Sequence, residues 1–481
     1  MKYEYDVIVI GSGTAGRTAA YLGAALSAKT LLIEQQTYGS DFVWQSSIPG
    51  KVLLHQAERA ASGIPVSYQT VMEKLQAISK RIYSKTEAPD SLRQKGIVYI
   101  TGQASFEDAH TLSVRDLETD KSQAVTGRYI FIATGIRSHI PAIPGIGRTP
   151  YFNSRSIFNL SHLPESLIII GAGPAGTELA QAYQRLGTRV SLVDMAYHIL
   201  PVDPPEITSM LQQKMEKEGV SLYLSCSPES VQGDEYHVRV KIRCNGKNET
   251  LEAEKLCFAT GHQVNLEALK LHKAGIRFNS NGVIVNSSCR TNLHHVYAIG
   301  DVTGRFQLTH MSEYMAKVAV NNALLRRPLT MDTRHVPWVT HTSPQVAHVG
   351  ATRSELEIAN TSFEVFRLPY SEIAQAVIEE EEEGWILVYA KKWSGKILGV
   401  DIVGKNAGDL VSHFSLAMKH GISMRKLANT IYPYPVYALG VRRVAEQWYT
   451  AFQSYRFYKW LRRFFRLRGP VPDVSDPDRI I

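Results

Sequence analysis

Cysteine is scarce in this chain of 481 residues: there are four, Cys226, Cys244, Cys257 and Cys289, none before position 226 and none in a C-x-x-C pair. They lie too far from one another along the chain for a metal cage or a redox pair local in sequence. So few thiols suit a reducing cytoplasm. Long apolar runs are also missing: none approaches the roughly 18 residues of a membrane span. A strand opens at Asp6, which leaves no room for the charged and apolar regions of a secretory signal. Glycine (34) and proline (21) are not in excess, and 44% hydrophobic with 20% charged residues excludes a disordered, collagen-like or disulfide-stapled chain. No internal low-complexity linker separates domains, of which the length allows about two to four. Acidic residues are outnumbered, 45 against 53 basic, but the segment 456–481 holds seven basic and three acidic groups, so half of the +8 excess lies in that terminal stretch. That is a local device rather than a nucleic-acid-binding surface.

What is present begins with a repeat. Asp6-Val7-Ile8-Val9-Ile10 runs into Gly11-x-Gly13-x-x-Gly16, a helical stretch, then Lys29-Thr30-Leu31-Leu32-Ile33 and Glu34. At an offset of 160 positions, Ser166-Leu167-Ile168-Ile169-Ile170 runs into Gly171-x-Gly173-x-x-Gly176, a helical stretch, then Arg189-Val190-Ser191-Leu192-Val193 and Asp194. The two acids fall at the same distance from the last glycine, Glu34 after Gly16 and Asp194 after Gly176. In such a cradle the first glycine turns tightly, the second admits a pyrophosphate to the backbone, and the third packs helix on strand. The pyrophosphate takes the helix N-terminus and the acid holds ribose hydroxyls. Two cradles predict two dinucleotides, with Thr14 and Ala15 completing the first turn and Pro174 and Ala175 the second. Asp194 repels a 2′-phosphate and no arginine follows it closely, which predicts NADH over NADPH.

Further landmarks extend over nearly the whole chain. Ala133-Thr134-Gly135 follows the apolar Tyr129-Ile130-Phe131-Ile132, and Ala259-Thr260-Gly261 follows Leu256-Cys257-Phe258. Val296-Tyr297-Ala298-Ile299-Gly300-Asp301 comes next, then Gln307-Leu308-Thr309 before a helix. Val336-Pro337-x-Val339-Thr340, Ile397-Leu398-Gly399 and Ala417-Met418-Lys419-His420-Gly421 complete the set. With these motifs the sequence resembles the class I pyridine nucleotide–disulfide oxidoreductases, in the mercuric reductase and lipoamide dehydrogenase branch. The resemblance implies an α/β fold of two Rossmann-like dinucleotide-binding domains and an α+β dimerisation domain, forming a homodimer. It implies FAD bound by 1–150 with 280–330, NAD by 151–279 and dimerisation through 331–450; beyond these the residues themselves mark a basic amphipathic tail at 451–481. FAD would meet residues 1–34, Ala104, Ala133, Thr134, Gly135, Gly300, Asp301 at the ribityl chain, and Thr309 near the flavin pyrimidine. NAD would meet residues 171–194 and Gly261. Lys51 and Glu178 match the pair beside flavin N5, where a cation stabilises reduced flavin and the glutamate helps seat the nicotinamide.

The chain departs from this pattern where the family keeps its sulfur. Aligned on Ile48-Pro49-x-Lys51, the two positions of the family's C-x-x-x-x-C disulfide hold Phe42 and Ser47, and Tyr434 and Leu439 stand where a C-terminal His and Glu serve as acid–base partner. A phenyl ring and a hydroxyl cannot cycle as a dithiol does, so disulfide, dihydrolipoamide and mercuric chemistry by that route is excluded. The expectation is an FAD-dependent NAD(P)H oxidoreductase without a disulfide, passing electrons from NADH through FAD to a quinone-like acceptor. Phe42, Trp44 and Tyr434 either form a slot for that acceptor or plug an abandoned channel. The alternatives are a soluble transhydrogenase, a non-enzymatic redox-sensing partner of a membrane complex, and a reductase of a dedicated protein. His310 and His341 are candidate protonating groups. The run Glu379 to Glu383 reads as a solvated hairpin turn, not a metal site.

The tail carries a separate signal. At about 100° per residue, Arg456, Lys459, Arg462, Arg463 and Arg466 fall within an arc of about 120°. Phe457, Tyr458, Trp460, Leu461, Phe464, Phe465 and Leu467 occupy the opposite half. No acid occurs between Glu446 and Asp473. Such a helix lies on an anionic membrane surface or docks on the protein itself; the first places the chain in the cytoplasm, peripheral on the inner face of the cytoplasmic membrane.

Overall fold

Consecutive Val and Ile residues, buried on both faces, make Tyr5–Ile10 (β1) a central parallel strand rather than an alternating surface one. The computed structural model describes the backbone of residues 2–35, 44, 47–86, 89–450 and 455–469. It resolves into two compact units, 1–197 with 218–332 and 198–217 with 333–481.

In the first unit β1 leads to α1 (Thr14–Ala25), β2 (Thr30–Glu34), α2 (Ser47–Ala61), β3 (Val98–Thr101), β4 (Gln103–Phe106), β5 (Thr111–Arg115) and β6 (Ser122–Ile132). The sheet runs β3-β2-β1-β6-β5-β4; the pairs around β1 are parallel and the β4–β6 meander is antiparallel. The plan recurs in β7 (Ser166–Ile170), α3 (Pro174–Arg185), β8 (Arg189–Val193) and β9 (Ser221–Tyr223). A three-stranded antiparallel sheet follows, β10 (Cys226–Gly233), β11 (Val238–Cys244) and β12 (Lys247–Ala253), before β13 (Lys255–Phe258) rejoins the parallel sheet beside β7. Then β14 (Val296–Ala298) pairs with β6, and α4 (Thr309–Leu325) follows.

The second unit centres on an antiparallel sheet of β15 (Pro337–Thr340), β16 (Gln345–Gly350), β17 (Glu364–Pro369), β18 (Trp385–Ala390) and β19 (Ile397–Gly404), in the order β15-β16-β19-β18-β17. Its core gathers Val349, Ile386, Val388, Val400 and Ile402 with Leu410 and Phe414 of α5 (Ala407–Lys419) and Val441 and Val444 of α6 (Leu439–Thr450). The last described helix is α7 (Tyr455–Phe464). Among the described residues no helix is long and apolar enough to cross a membrane.

One expectation is corrected here. The spacing of the cysteines marks no redox pair local in sequence and their number suits a reducing cytoplasm, yet Cys226 and Cys244 form a disulfide. They are 18 residues apart in sequence, but β10 folds back on β11 so that the two stand directly opposite with Cα atoms 4.3 Å apart. Spacing rules look for close neighbours and miss a pair made by strand register.

Candidate active site

Each glycine-rich turn is held by the strands behind it. The Gly11 amide donates to the Ile33 carbonyl and Ala133 to Ile10; in the second cradle Gly171 donates to Val193 and Ala259 to Ile170, all at 2.8 Å. A left-handed φ of +101° at Gly11 and +110° at Gly171 swings the chain off the strand end. A Cβ on Gly16 or Gly176 would lie 1.8 Å from the carbonyl oxygen of Gly11 or Gly171, whereas one on Gly13 or Gly173 would meet nothing within 4 Å. The helix thus presses on the turn at the third glycine and stays open at the second. Neither α1 nor α3 has a side-chain N-cap or an acid in its first turn. Their first amides therefore meet the open side unsatisfied, with the positive end of the helix dipole, which fits a pyrophosphate.

The acids are fastened to these turns. Glu34 Oε2 accepts from the Ser12 amide at 2.8 Å and the Ser12 hydroxyl at 2.9 Å. Asp194 accepts from the Ala172 amide at 2.5 Å on Oδ2 and from the Ala196 amide at 2.7 Å on Oδ1. The two Ala-Thr-Gly segments lock to each other: Arg137–Ser138 pairs with His262–Gln263, the Thr260 hydroxyl donates to the His139 carbonyl at 2.6 Å, and the His139 amide donates to the Gly261 carbonyl at 2.9 Å.

Lys51 on α2 and Glu178 on α3 meet across 127 positions of sequence, Nζ donating to the two carboxylate oxygens at 2.6 and 2.7 Å. The lysine side chain keeps 40% of its surface and the glutamate 13%, so the ammonium can still act on a neighbour. Asp301 is half-buried beyond Gly300; burial raises its pKa, which the Ser312 hydroxyl at 3.3 Å and the Arg155 charge oppose. Arg155 also donates to the Ile136 carbonyl at 2.7 Å and, after burial, helps hold the His262 pKa down, while Gln307 hydrogen-bonds that ring. No spacing rule marks Arg155 or His262, and sequence reasoning misses both. His262 directly follows Gly261, the one available clue.

Other predicted positions fall as follows. Thr14 and Ala15 open α1, and Pro174 and Ala175 open α3. Ala104 is buried in β4 opposite Val114, which leaves only its backbone for a ligand. Thr134 is exposed, as are Thr309 and His310 at the start of α4, a helix with no side-chain N-cap. The Trp44 ring tilts against Tyr83 at 5.7 Å, and Ser47 begins α2. Phe42 lies outside the described residues. Tyr434, in the second unit, is 71% exposed; Leu439 is buried and His341 exposed. In the acidic run Glu379 accepts from the Tyr437 hydroxyl at 2.9 Å and Glu381 pairs with Lys405 at 3.0 Å. Burial pushes the Cys257 and Cys289 thiols up to about 12, so neither is a reactive thiolate at neutral pH.

Comparison with known proteins finds matches over most of the chain. The family profile "Pyridine nucleotide-disulphide oxidoreductase" matches residues 5–316, and the dimerisation domain of that family matches 336–444. A mercuric reductase of Bacillus cereus is 30% identical over 454 residues, covering 92% of this chain and 71% of its own. A dihydrolipoyl dehydrogenase of Bacillus subtilis is 27% identical, covering 92% and 98%. Among solved structures, the Cu(II) complex of the HOCl-induced flavoprotein disulfide reductase RclA from Escherichia coli matches with a TM-score of 0.85 at 25% identity, over 93% of this chain and 100% of that one.

Proposed function

The chain belongs to the pyridine nucleotide-disulphide oxidoreductases, and we propose that it is a homodimeric member that oxidises NADH with FAD bound and delivers the electrons to a quinone-like acceptor, with no thiol stage between. One observation carries the reading: the bidentate Lys51–Glu178 ion pair in a chain with no cysteine before position 226. When bound, FAD supplies the two-electron relay between nicotinamide and acceptor. Glu178 holds the Lys51 ammonium in place with both carboxylate oxygens, so that it can stabilise negative charge that develops beside it. Gly11, Gly13 and Gly16 with the amides of α1 hold one pyrophosphate, Gly171, Gly173 and Gly176 with those of α3 the other, and Asp301 takes ribityl hydroxyls. Asp194 accepts from ribose hydroxyls and disfavours a 2′-phosphate, hence NADH over NADPH.

Phe42 and Ser47 offer no sulfur for a family-type exchange, and the disulfide the chain does contain, Cys226–Cys244, belongs to the β10–β12 sheet. Aromatic Phe42 and Trp44, in the segment where the family keeps its disulfide, suit a flat apolar acceptor. The basic aromatic helix α7 suits adsorption to anionic lipid, where such an acceptor dissolves, on the inner face of the cytoplasmic membrane. The test is to reduce the yellow holoprotein anaerobically with NADH and mix it in stopped flow with a quinone, NADP+ or a small disulfide. Fast reoxidation by the quinone alone is expected. Fast reoxidation by NADP+ would make the protein a transhydrogenase, by the disulfide a thiol reductase, and by none of them a redox-sensing partner.

A further inference from the structure

The Cys226–Cys244 disulfide takes no part in that relay, yet it adjoins the coenzyme acid. The Asp194 amide donates to the Tyr223 carbonyl at 2.9 Å, and the Cys226 amide donates to the Asp194 carbonyl, also at 2.9 Å. Between them the Ser225 amide donates to the Ala196 carbonyl at 2.8 Å, with Ser225 in a left-handed φ of +56°. Asp194 is therefore held by its backbone between the end of β9 and the first residue of β10, while its carboxylate caps the second glycine turn.

The disulfide joins that first residue of β10 to the last residue of β11. Cys244 is itself fixed by the two-residue turn Asn245-Gly246, with φ of +50° and +79°, which pairs it with Lys247. The ladder on the β10 side is interrupted close to this corner: the register shifts between Pro228 and Ser230, and Pro228 has no amide to donate. The covalent bond is thus one attachment of the Asp194 loop to the hairpin, beside the ladder pairs from Cys226–Cys244 to Pro228–Ile242 and the Arg243–Glu229 ion pair.

We propose that Cys226–Cys244 is a thiol-exchangeable site that sets affinity for the nicotinamide coenzyme through Asp194, a proposal that rests on reading residues 171–194 as the NAD cradle. Closed, the bond holds Asp194 where ribose hydroxyls reach it; opened, β10 loosens at its start and affinity falls. The reactant is a low-molecular-weight thiol. Its thiolate attacks the sulfur of half-buried Cys244, the S–S bond breaks, and buried Cys226 leaves as a thiolate that takes up a proton. A second thiol then attacks the mixed disulfide and frees Cys244. Two thiols become one disulfide while the protein's cystine gains two electrons and two protons, and a small disulfide reverses the exchange. The Leu224 carbonyl, 3.2 Å from Cys226 Sγ, is an acceptor for the thiol that reduction creates.

The test uses the full-length holoenzyme after treatment with oxidised or reduced glutathione, with alkylation and mass spectrometry reporting the state of Cys226 and Cys244. Opening the bond should raise the KM for NADH by about fivefold or more with kcat unchanged, and oxidised glutathione should restore it. Cys244→Ser should show the raised KM under both treatments; where that variant folds poorly, the wild-type pair of states decides alone. An opened bond with an unchanged KM overturns the proposal, as does alkylation of both cysteines after oxidised glutathione. In either case NADH still reduces the flavin and the proposed function stands. Failure of NADH to reduce the flavin in both states overturns the coenzyme reading and this inference with it.

Discussion

Lys51 and Glu178 are named by their motif positions, but nothing in sequence brings positions 127 apart to within 2.6 Å; the packing of α2 on α3 does that. If the ammonium acts on charge beside it, Lys51→Met should cut the NADH-dependent rate by about 100-fold while the protein stays yellow, since a lost charge-stabilising donor costs about that much. Lys51→Arg should recover part of it in the same stopped-flow assay. His348 shows the opposite case, a residue with no sequence signal. It sits unremarked within Val346-Ala347-His348-Val349, yet it is fully buried, Nδ1 2.5 Å from Asp401 Oδ1 and Nε2 3.0 Å from the Gly350 carbonyl. Both neighbours are acceptors, so the imidazolium, with both ring nitrogens donating, is the form that satisfies them. Burial alone would lower its pKa, but the hydrogen bond and charge of Asp401 outweigh that and raise it. A folded pKa above the unfolded value of about 6.5 means the stabilisation is complete below that pH and is lost as pH rises through the folded value. Asp401→Asn should cost about 3–5 kcal/mol at pH ~6, and the gap to wild type in urea unfolding should narrow toward pH ~9. A gap independent of pH would show the ring to be neutral.

The elements most legible in sequence are those whose physics is local. Apolar runs before glycine-rich turns, and an acid at fixed distance after them, specify β1-α1-β2 and β7-α3-β8 without reference to the rest of the chain. The two turns also make separable predictions. Gly16→Ala would drive a Cβ into the Gly11 carbonyl, at 1.8 Å, and Gly176→Ala the same into Gly171. The first variant should purify without flavin colour; the second should stay yellow but lose saturable reduction by NADH, each read from the flavin absorbance. Both variants losing colour would mean the cradles are not independent. Less legible are the elements that depend on register. The β10–β12 sheet carries the disulfide, and no count of intervening residues states that Cys226 faces Cys244. The Pro205–Lys217 helix buries Ile207, Leu211 and Met215, which its periodicity announces, but periodicity does not say which body covers them; the fold groups it with residues 333–481.

At the scale of the whole molecule the charge is unevenly spread, and half of the +8 excess lies in the terminal segment 456–481. In α7 and just beyond it, Trp460 stacks on Phe464 at 5.2 Å and Phe464 meets Phe465 edge-on at 4.9 Å, with Trp460 54% and Phe464 66% exposed. Basic side chains near an anionic surface contribute about 1 kcal/mol each, an attraction that salt screens over about 8 Å at physiological ionic strength. Docking and chemistry are therefore separable by the choice of acceptor. With a short-chain, water-soluble quinone, the full chain and a version ending at Gln453 should turn over alike, because the relay residues lie elsewhere. With a long-chain quinone dissolved in anionic vesicles, the full chain should turn over several-fold faster than the truncated one. That advantage should vanish in about 0.5 M salt and in zwitterionic vesicles. Equal rates in anionic vesicles would mean that the tail does not bring the enzyme to the bilayer, and its arginines would then have to be explained by contacts within the dimer.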